Sequence, residues 1–274
     1  MKSSMAERTG GAQFSGRKPT KPISALQDSV VYGPIYSRRL GVSLGINPLP
    51  LTYKFCDFDC VYCQYGWTPE KGTGEKLKRA GELLSEIRKS FEYHKQIQTP
   101  VKCITIAGNG EPTLHPDFSA FVDGLVLLRN EFFPGVKIGI LTDSSQAHRF
   151  EIRGALGRLD ERYMKLDAGT PETVARVNKP RGNFDFERMI ESLRTLPDIV
   201  IQSLFMQGSY DNTSSEDIQA WVETLRRIAP AEVQVYTIDR GTADPGLFKV
   251  SIEKLHEIAA LCQSATGIPS TVFD

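Results

Sequence analysis

Cys56, Cys60 and Cys63 fall within one short stretch, Cys56-Asp-Phe-Asp-Cys60-Val-Tyr-Cys63. Thiolates this close can converge on one compact centre, because a chain that reaches about 3.3–3.6 Å per residue spans the loop with ease. A closed structural zinc site needs a fourth thiolate or a histidine, and paired C-x2-C motifs are its usual sign. This loop has a single C-x2-C pair, and the nearest histidine, His94, lies beyond a predicted helix. Soft sulfur ligands without that fourth partner favour an iron–sulfur cluster. Three ligands on a four-iron cubane leave one iron open to a further ligand. A non-catalytic iron–sulfur or zinc sensor built on the same loop is the alternative of a different class.

The elements that must position this loop follow a βα rhythm. Strands are expected at 41–46, 101–107, 136–141, 162–166, 199–205 and 232–238. Helices are read from apolar residues at 3.6-residue spacing. The first, over 80–95, carries Leu83, Leu84, Ile87 and Phe91, and the second carries Phe118, Phe121, Val122, Leu125 and Leu128. Others are expected near 146–158, around Phe186–Leu193, and after Thr213, which with Glu216 resembles a capping box. A closing helix from Ser251 places Ile252, Leu255, Ile258 and Cys262 on a core face, so Cys262, like Cys103 within a strand, reads as a small buried hydrophobe. Alternation of this kind predicts an α/β fold, a partial (β/α)6 barrel over residues 28–274 with short N-terminal and C-terminal extensions. Residues 1–27 hold five basic residues against the single acid Glu7, with Gly10, Gly11, Gly16, Pro19 and Pro22, and read as a flexible basic leader.

In parallel α/β sheets ligands gather beyond the carboxyl ends of the strands. The cysteine loop follows the first predicted strand, and Gly108-Asn109-Gly110-Glu111-Pro112 follows the second. Two glycines there let backbone groups approach a ligand, and carbonyls with the Glu111 carboxylate suit an ammonium group. Thr142-Asp143-Ser144-Ser145 follows the third strand. Its hydroxyls suit a ribose or an amino-acid moiety, or Ser144 or Ser145 caps the next helix. Lys165 and Asp167 share one face of the fourth strand, either lining a cavity or forming a structural ion pair.

Charge and hydropathy narrow the class further. The 33 basic and 33 acidic side chains balance, so no global field draws the protein to nucleic acid or an anionic membrane. No stretch approaches the ~18 uninterrupted apolar residues of a membrane span, and the N-terminus lacks a secretory apolar segment. Five cysteines, three of them clustered, do not form a secreted disulfide framework, so a reducing cytoplasm is expected.

The triplet, with Tyr62 before its last cysteine, and the Gly108–Pro112 segment together resemble the radical S-adenosylmethionine (SAM) superfamily. Three further stretches are similar to a subgroup related to wyosine-synthase radical enzymes: Tyr32–Gly41, Ser43-Leu-Gly-Ile-Asn-Pro-Leu-Pro50, and Lys165-Leu-Asp-Ala-Gly-Thr170. The resemblance implies that Cys56, Cys60 and Cys63 hold a [4Fe-4S] cluster whose open iron takes the amino and carboxylate groups of SAM. It also implies Tyr62 beside the adenine and Gly108, Asn109, Gly110 and Glu111 at the methionine ammonium. Lys165 or Asp167, with Thr142 or Ser144, would contact ribose or carboxylate, and Gln202 and Ser203 the adenosyl end. Asp143 departs from the family pattern, in which Asn is usual. The implied reaction is reductive cleavage of SAM to a 5′-deoxyadenosyl radical that abstracts a substrate hydrogen, fed by an external flavodoxin- or ferredoxin-type reductant. Candidate substrates are a tRNA base, with Lys71, Lys76, Lys78, Arg79, Arg176, Lys179 and Arg181 as an RNA-facing rim, or a partner protein that receives a glycyl radical.

Overall fold

The computed structural model describes residues 24–37 and 41–274. The expected leader therefore lies outside the described residues except for 24–27, as do residues 38–40 of the Tyr32–Gly41 stretch. Six parallel strands pair in chain order: β2 (Gly41–Ile46), β3 (Cys103–Ile106), β4 (Lys137–Thr142), β5 (Glu161–Lys165), β6 (Ile199–Gly208) and β7 (Glu232–Thr237). These are the six strands expected from the βα rhythm, and the sheet is the partial barrel. The sequence pattern did not show three short strands. β1 (Val31–Ser37) runs antiparallel along the edge of β2, β9 (Ser270–Phe273) adds in parallel to β7, and β8 (Leu247–Lys249) pairs antiparallel with the end of β6.

Strict alternation assigns the two faces. Leu44, Ile46, Ile104, Ile106, Ile138, Ile140, Ile201, Val233 and Val235 are buried beneath the helices. The opposite face carries Ser43, Thr105, Gln202 and Gln234, all buried and paired across strands. Ser43 Oγ lies 2.7 Å from Thr105 Oγ1, and Gln202 Nε2 donates to Gln234 Oε1 at 2.8 Å. A polar inner face is what a barrel needs if its upper part is to hold a polar ligand, since each buried polar group must find a partner.

The helical layer is α1 (Ala80–Gln96), α2 (Phe118–Phe132), α3 (Phe150–Leu156), α4 (Pro171–Val177), α5 (Phe186–Arg194), α6 (Ser215–Ile228) and α7 (Ile252–Thr266). Two sequence expectations are corrected here. The N-cap of α6 is Ser214, whose Oγ accepts from Asp217 N at 3.1 Å, while Thr213 closes a turn on Asp211. Neither Ser144 nor Ser145 caps α3, whose N-cap is Arg149 and which has no side-chain cap. The short α4 went unread despite Thr170 as N-cap and Pro171 at the first helical position, because seven residues are too few to display periodicity. Cys262 lies in the apolar core, and Cys103 is buried on the inner face near Thr105.

One contact of the layer reaches toward the barrel mouth. A Cβ on Gly169 would stand 2.1 Å from the Ala220 backbone, so the segment leaving β5 can lie directly against α6 only as glycine. The buried Trp221 completes that packing, donating from Nε1 to Ser203 Oγ at 3.0 Å with its ring edge-on to Phe205.

Candidate active site

The cysteine loop rises beyond the end of β2 and is held by backbone hydrogen bonds from two sides. Phe55 N donates to Asn109 O at 2.8 Å, and Phe55 O accepts from Glu111 N at 3.0 Å. On the far side residues 57–61 run beside 177–181, with Arg181 N to Asp57 O at 2.7 Å, Asp59 N to Lys179 O at 3.1 Å and Val61 N to Val177 O at 3.0 Å. The glycine turn is therefore a clamp on the segment that delivers Cys56. Gly110 has φ +145°, and a Cβ there would lie 1.8 Å from the Phe55 carbonyl oxygen.

Above the polar inner face opens a cavity of about 510 Å³. Cys56, Cys60, Cys63, Tyr62, Gly108 and Gly110 line it, opposite Tyr32, Tyr65, Leu204 and Tyr236. Its size falls in the ~300–1,000 Å³ range of small-molecule sites. A small cleft beside it, about 10 Å³, is bounded by Phe58, Asp143, Lys165, Asp167 and Asn178.

Charge around the sulfurs is arranged by residues the sequence did not single out. Lys54 is buried, its Nζ donating to Gly66 O at 3.0 Å and lying 3.6 Å from Asp59 Oδ1. Burial acts most strongly to lower its pKa, but Cys63, Cys56, Cys60 and Asp59 together leave it raised. Asn178 Nδ2 donates to Cys60 Sγ at 3.4 Å and to Asp167 Oδ2 at 2.7 Å. Burial and then the Asp167 charge push the Cys60 thiol up to about 12, so a metal must displace its proton on binding. Lys54 and Asn178 are a lone lysine and a helix C-cap in sequence, and only the fold aims them at sulfur.

Lys165 and Asp167 form the ion pair and border the small cleft rather than the larger cavity. Lys165 Nζ lies 3.3 Å from Asp167 Oδ1, donates to the Tyr236 hydroxyl at 2.6 Å, and sits over the rings of Tyr62 and Tyr236 at 4.8 and 5.1 Å. The Tyr62 hydroxyl donates to Asp167 Oδ2. Its ring is thereby fixed in the cavity wall.

The remaining predicted residues face elsewhere. The Asn109 side chain bonds Gln27 O and Pro50 O and accepts from Gln27 N, tying the described start of the chain to the loop. Glu111 accepts from Thr113 N, Thr113 Oγ1, Thr142 Oγ1 and Asp143 N, so all its hydrogen bonds serve the fold. Burial lifts its pKa to about 7 against those donors. Ser144 Oγ donates to Lys165 O, Ser203 Oγ to Leu166 O beneath Trp221, and Gln202 lies lower on the inner face. Thr142, Ser144, Gln202, Ser203, Asn109 and Glu111 line neither the cavity nor the cleft, and their hydrogen bonds here are made within the protein, to residues that support the site.

Asp143 closes the site beside Cys56, with Oδ2 3.7 Å from Sγ. Cys56, Asp57 and Asp143 place one ligand atom each within 4.8 Å of one another, a set with one sulfur rather than the three a thiolate-bound zinc ion would gather. Burial, then Glu111, then Asp57 push the Asp143 pKa well above the ordinary carboxylate range. A neutral Asn keeps the acceptor for Ser145 N and removes the crowded carboxylate. Asp143→Asn is accordingly expected to raise the melting temperature of the cluster-free protein near neutral pH by about 3 °C or more, taking ~2–4 °C per kcal/mol. A lower value by calorimetry would contradict the repulsion.

Residues 51–211 match the sequence model of the Radical SAM superfamily. The chain belongs to that superfamily. Among curated relatives of this radical SAM protein, a Helicobacter pylori (strain J99) UPF0026 protein is 30% identical over 225 residues, covering 80% of this chain and 68% of the relative. A Brachyspira hyodysenteriae protein named GTPase Obg is 28% identical over 266 residues, covering 91% of this chain but only 36% of its own length. The chain therefore spans about a third of that relative. Among solved structures, a radical SAM methyltransferase from Sphaerobacter thermophilus superposes with TM-score 0.63 at 16% identity, over 84% of this chain and 65% of the other. TYW1 with a lysine-pyruvate adduct superposes with TM-score 0.54 at 13% identity, over 81% and 73%. At these identities the likeness concerns the fold alone. No helix among the described residues is long and apolar enough to cross a membrane.

Proposed function

We propose that this radical SAM enzyme binds a [4Fe-4S] cluster on Cys56, Cys60 and Cys63 and SAM across the adjoining cavity, and that it takes a hydrogen atom from a small molecule or group that enters the same cavity. The observation that carries this is the convergence of the three cysteines, Tyr62 and the Gly108 and Gly110 backbone on one cavity of about 510 Å³ beyond the strand ends. The donor set fits the group, with three soft ligands on one loop and a lysine ammonium beside them. When bound, the reduced cluster supplies the electron that cleaves the SAM sulfonium to a 5′-deoxyadenosyl radical. An external flavodoxin- or ferredoxin-type donor feeds that electron in.

The chain's own residues position and exclude. Tyr62, locked by Asp167, gives the cavity a rigid aromatic wall on which a planar group can rest. Half-buried backbone at Gly108 and Gly110 lines the cavity, and the absence of a Cβ there leaves room for Asn47 and the Phe55 carbonyl behind it. Tyr32, whose hydroxyl donates to Ala107 O at 3.2 Å, covers the cavity from β1 and keeps bulk water from the reacting atoms.

The RNA-facing rim loses support. Of the basic residues offered as an RNA-facing rim, Lys78, Arg79, Arg176 and Arg181 pair with Glu86, Asp117, Asp217 and Asp59.

The test is anaerobic reconstitution with iron and sulfide, followed by SAM and dithionite. Wild type is expected to release 5′-deoxyadenosine, and Cys60→Ala to lose at least about 100-fold of that rate, a loss of the size that follows from removing an essential group. A folded, cluster-loaded wild type that forms no 5′-deoxyadenosine would favour the sensor reading instead.

A further inference from the structure

We infer that Lys54 and Asp59 form an opposed charge pair, built into the cysteine loop, that sets the reduction potential of the cluster. The inference rests on the proposed role of Cys56, Cys60 and Cys63 as cluster ligands.

The loop is wound around the Lys54 ammonium. Lys54 lies two residues before Cys56, Asp59 immediately precedes Cys60, and Gly66 follows Cys63 by three. The ammonium is fixed to both later points, at 3.0 Å from the Gly66 carbonyl oxygen and 3.6 Å from the Asp59 carboxylate. Gly66 is itself tied back to the cysteines, its N donating to Cys63 O at 3.1 Å, and Cys63 N donates to Cys60 O at 2.9 Å. Only 3% of the Lys54 side chain is exposed, so solvent screens its charge poorly. Asp59 is held as firmly, accepting from Thr68 N at 2.7 Å with the Arg181 guanidinium on its outer side at 3.9 Å.

Such an arrangement has a direct effect on electron affinity. Reduction adds one negative charge to the cluster, and a nearby buried cation stabilises that charge while a nearby anion opposes it. Local net charge and solvent exposure are among the levers that place iron–sulfur potentials across their wide range. Asp57 and Asp143 crowd Cys56 and Asp167 lies behind Cys60, all on the anionic side. Lys165 already pairs with Asp167, so Lys54 counterbalances the carboxylates on the Cys56 side, leaving the cluster reducible by a biological donor, and Asp59 limits how far it does so. Lys54 touches no reacting atom and acts through the cluster as a positioning residue.

The experiment is an anaerobic redox titration of the reconstituted full chain, followed by the electron paramagnetic resonance signal of the reduced cluster, with iron and sulfide content measured in parallel. Lys54→Met is expected to lower the midpoint potential by about 59 mV or more, a tenfold shift in a one-electron equilibrium. Asp59→Asn, which keeps an acceptor for Thr68 N, is expected to raise it. Lys54→Arg and the double variant Lys54→Met/Asp59→Asn are expected near wild type. A merely structural role would move both single variants the same way or leave both unmoved, and either result overturns the inference. If Lys54→Met takes up no cluster, the upward shift of Asp59→Asn decides. A wild type that loads no cluster, or a Cys60→Ala variant that loads a full one, would instead overturn the ligand assignment itself.

Discussion

Gly110→Ala is expected to abolish cluster loading while the barrel still folds. The new methyl would stand 1.8 Å from the Phe55 carbonyl oxygen and 2.4 Å from its carbon, and backbone at φ +145° is closed to residues with a Cβ. The strain of such a backbone costs about 1–3 kcal/mol before the clash is counted. Relief requires Phe55 to move, which breaks its hydrogen bonds to Asn109 O and Glu111 N and carries the neighbouring Cys56 away from Cys60 and Cys63. Iron and sulfide content after reconstitution, with circular dichroism for the fold, checks the outcome. Gly81→Ala is the control: it sits in α1 with nothing within 4 Å of the added methyl, and is expected to load as wild type. Full loading of Gly110→Ala would show that the turn does not hold the loop.

Asp167→Ala is expected to destabilise the protein by about 3–5 kcal/mol, the usual consequence of leaving a buried charge without its partner. The Asp167 side chain is fully buried and accepts from Leu204 N, Asn178 Nδ2 and the Tyr62 hydroxyl while facing the Lys165 ammonium. Alanine removes all four interactions and leaves Lys165 with Tyr236 as its remaining hydrogen-bond partner among those described here. Chemical denaturation of the cluster-free protein measures the loss. Lys165→Met/Asp167→Leu removes both charges and is expected to recover part of it, because an apolar pair needs no compensation. A single-variant loss under about 1 kcal/mol would place the ion pair in the weak class of solvent-screened contacts.

How far this site could be read from residues alone follows from the range of the interactions involved. Cys56, Cys60 and Cys63 are near one another in any fold, because eight residues cannot separate them far. The six parallel strands were legible because each is a short, mostly buried apolar run set between helical segments, and α1, α2 and α6 because their apolar faces repeat over three turns or more. β1, β8 and β9 were not legible. Two are only three or four residues long and β1 carries a Gly33-Pro34 pair that interrupts its apolar pattern, so none presents a clean period.

Side-chain direction was the larger gap. Glu111 and Asn109 stand in a turn beside the cavity, and residue type alone suggested that they meet a ligand. Four protein donors claim the Glu111 carboxylate, and Gln27 and Pro50 claim Asn109, so both hold the clamp. Lys54 and Asn178 carry no local signal at all, since their meaning lies in contacts with Gly66, Asp59, Cys60 and Asp167.

By itself the sequence determined the chemistry this protein can carry: three clustered thiols, a βα rhythm that sets them at strand ends, and balanced charge. Only the tertiary structure decided the environment of that chemistry, from the lysine held beside the sulfurs to the carboxylates behind them and the glycine that lets Phe55 through. The physical reason is that ligand type and spacing are local properties, whereas burial, charge balance and backbone clearance arise where distant segments meet.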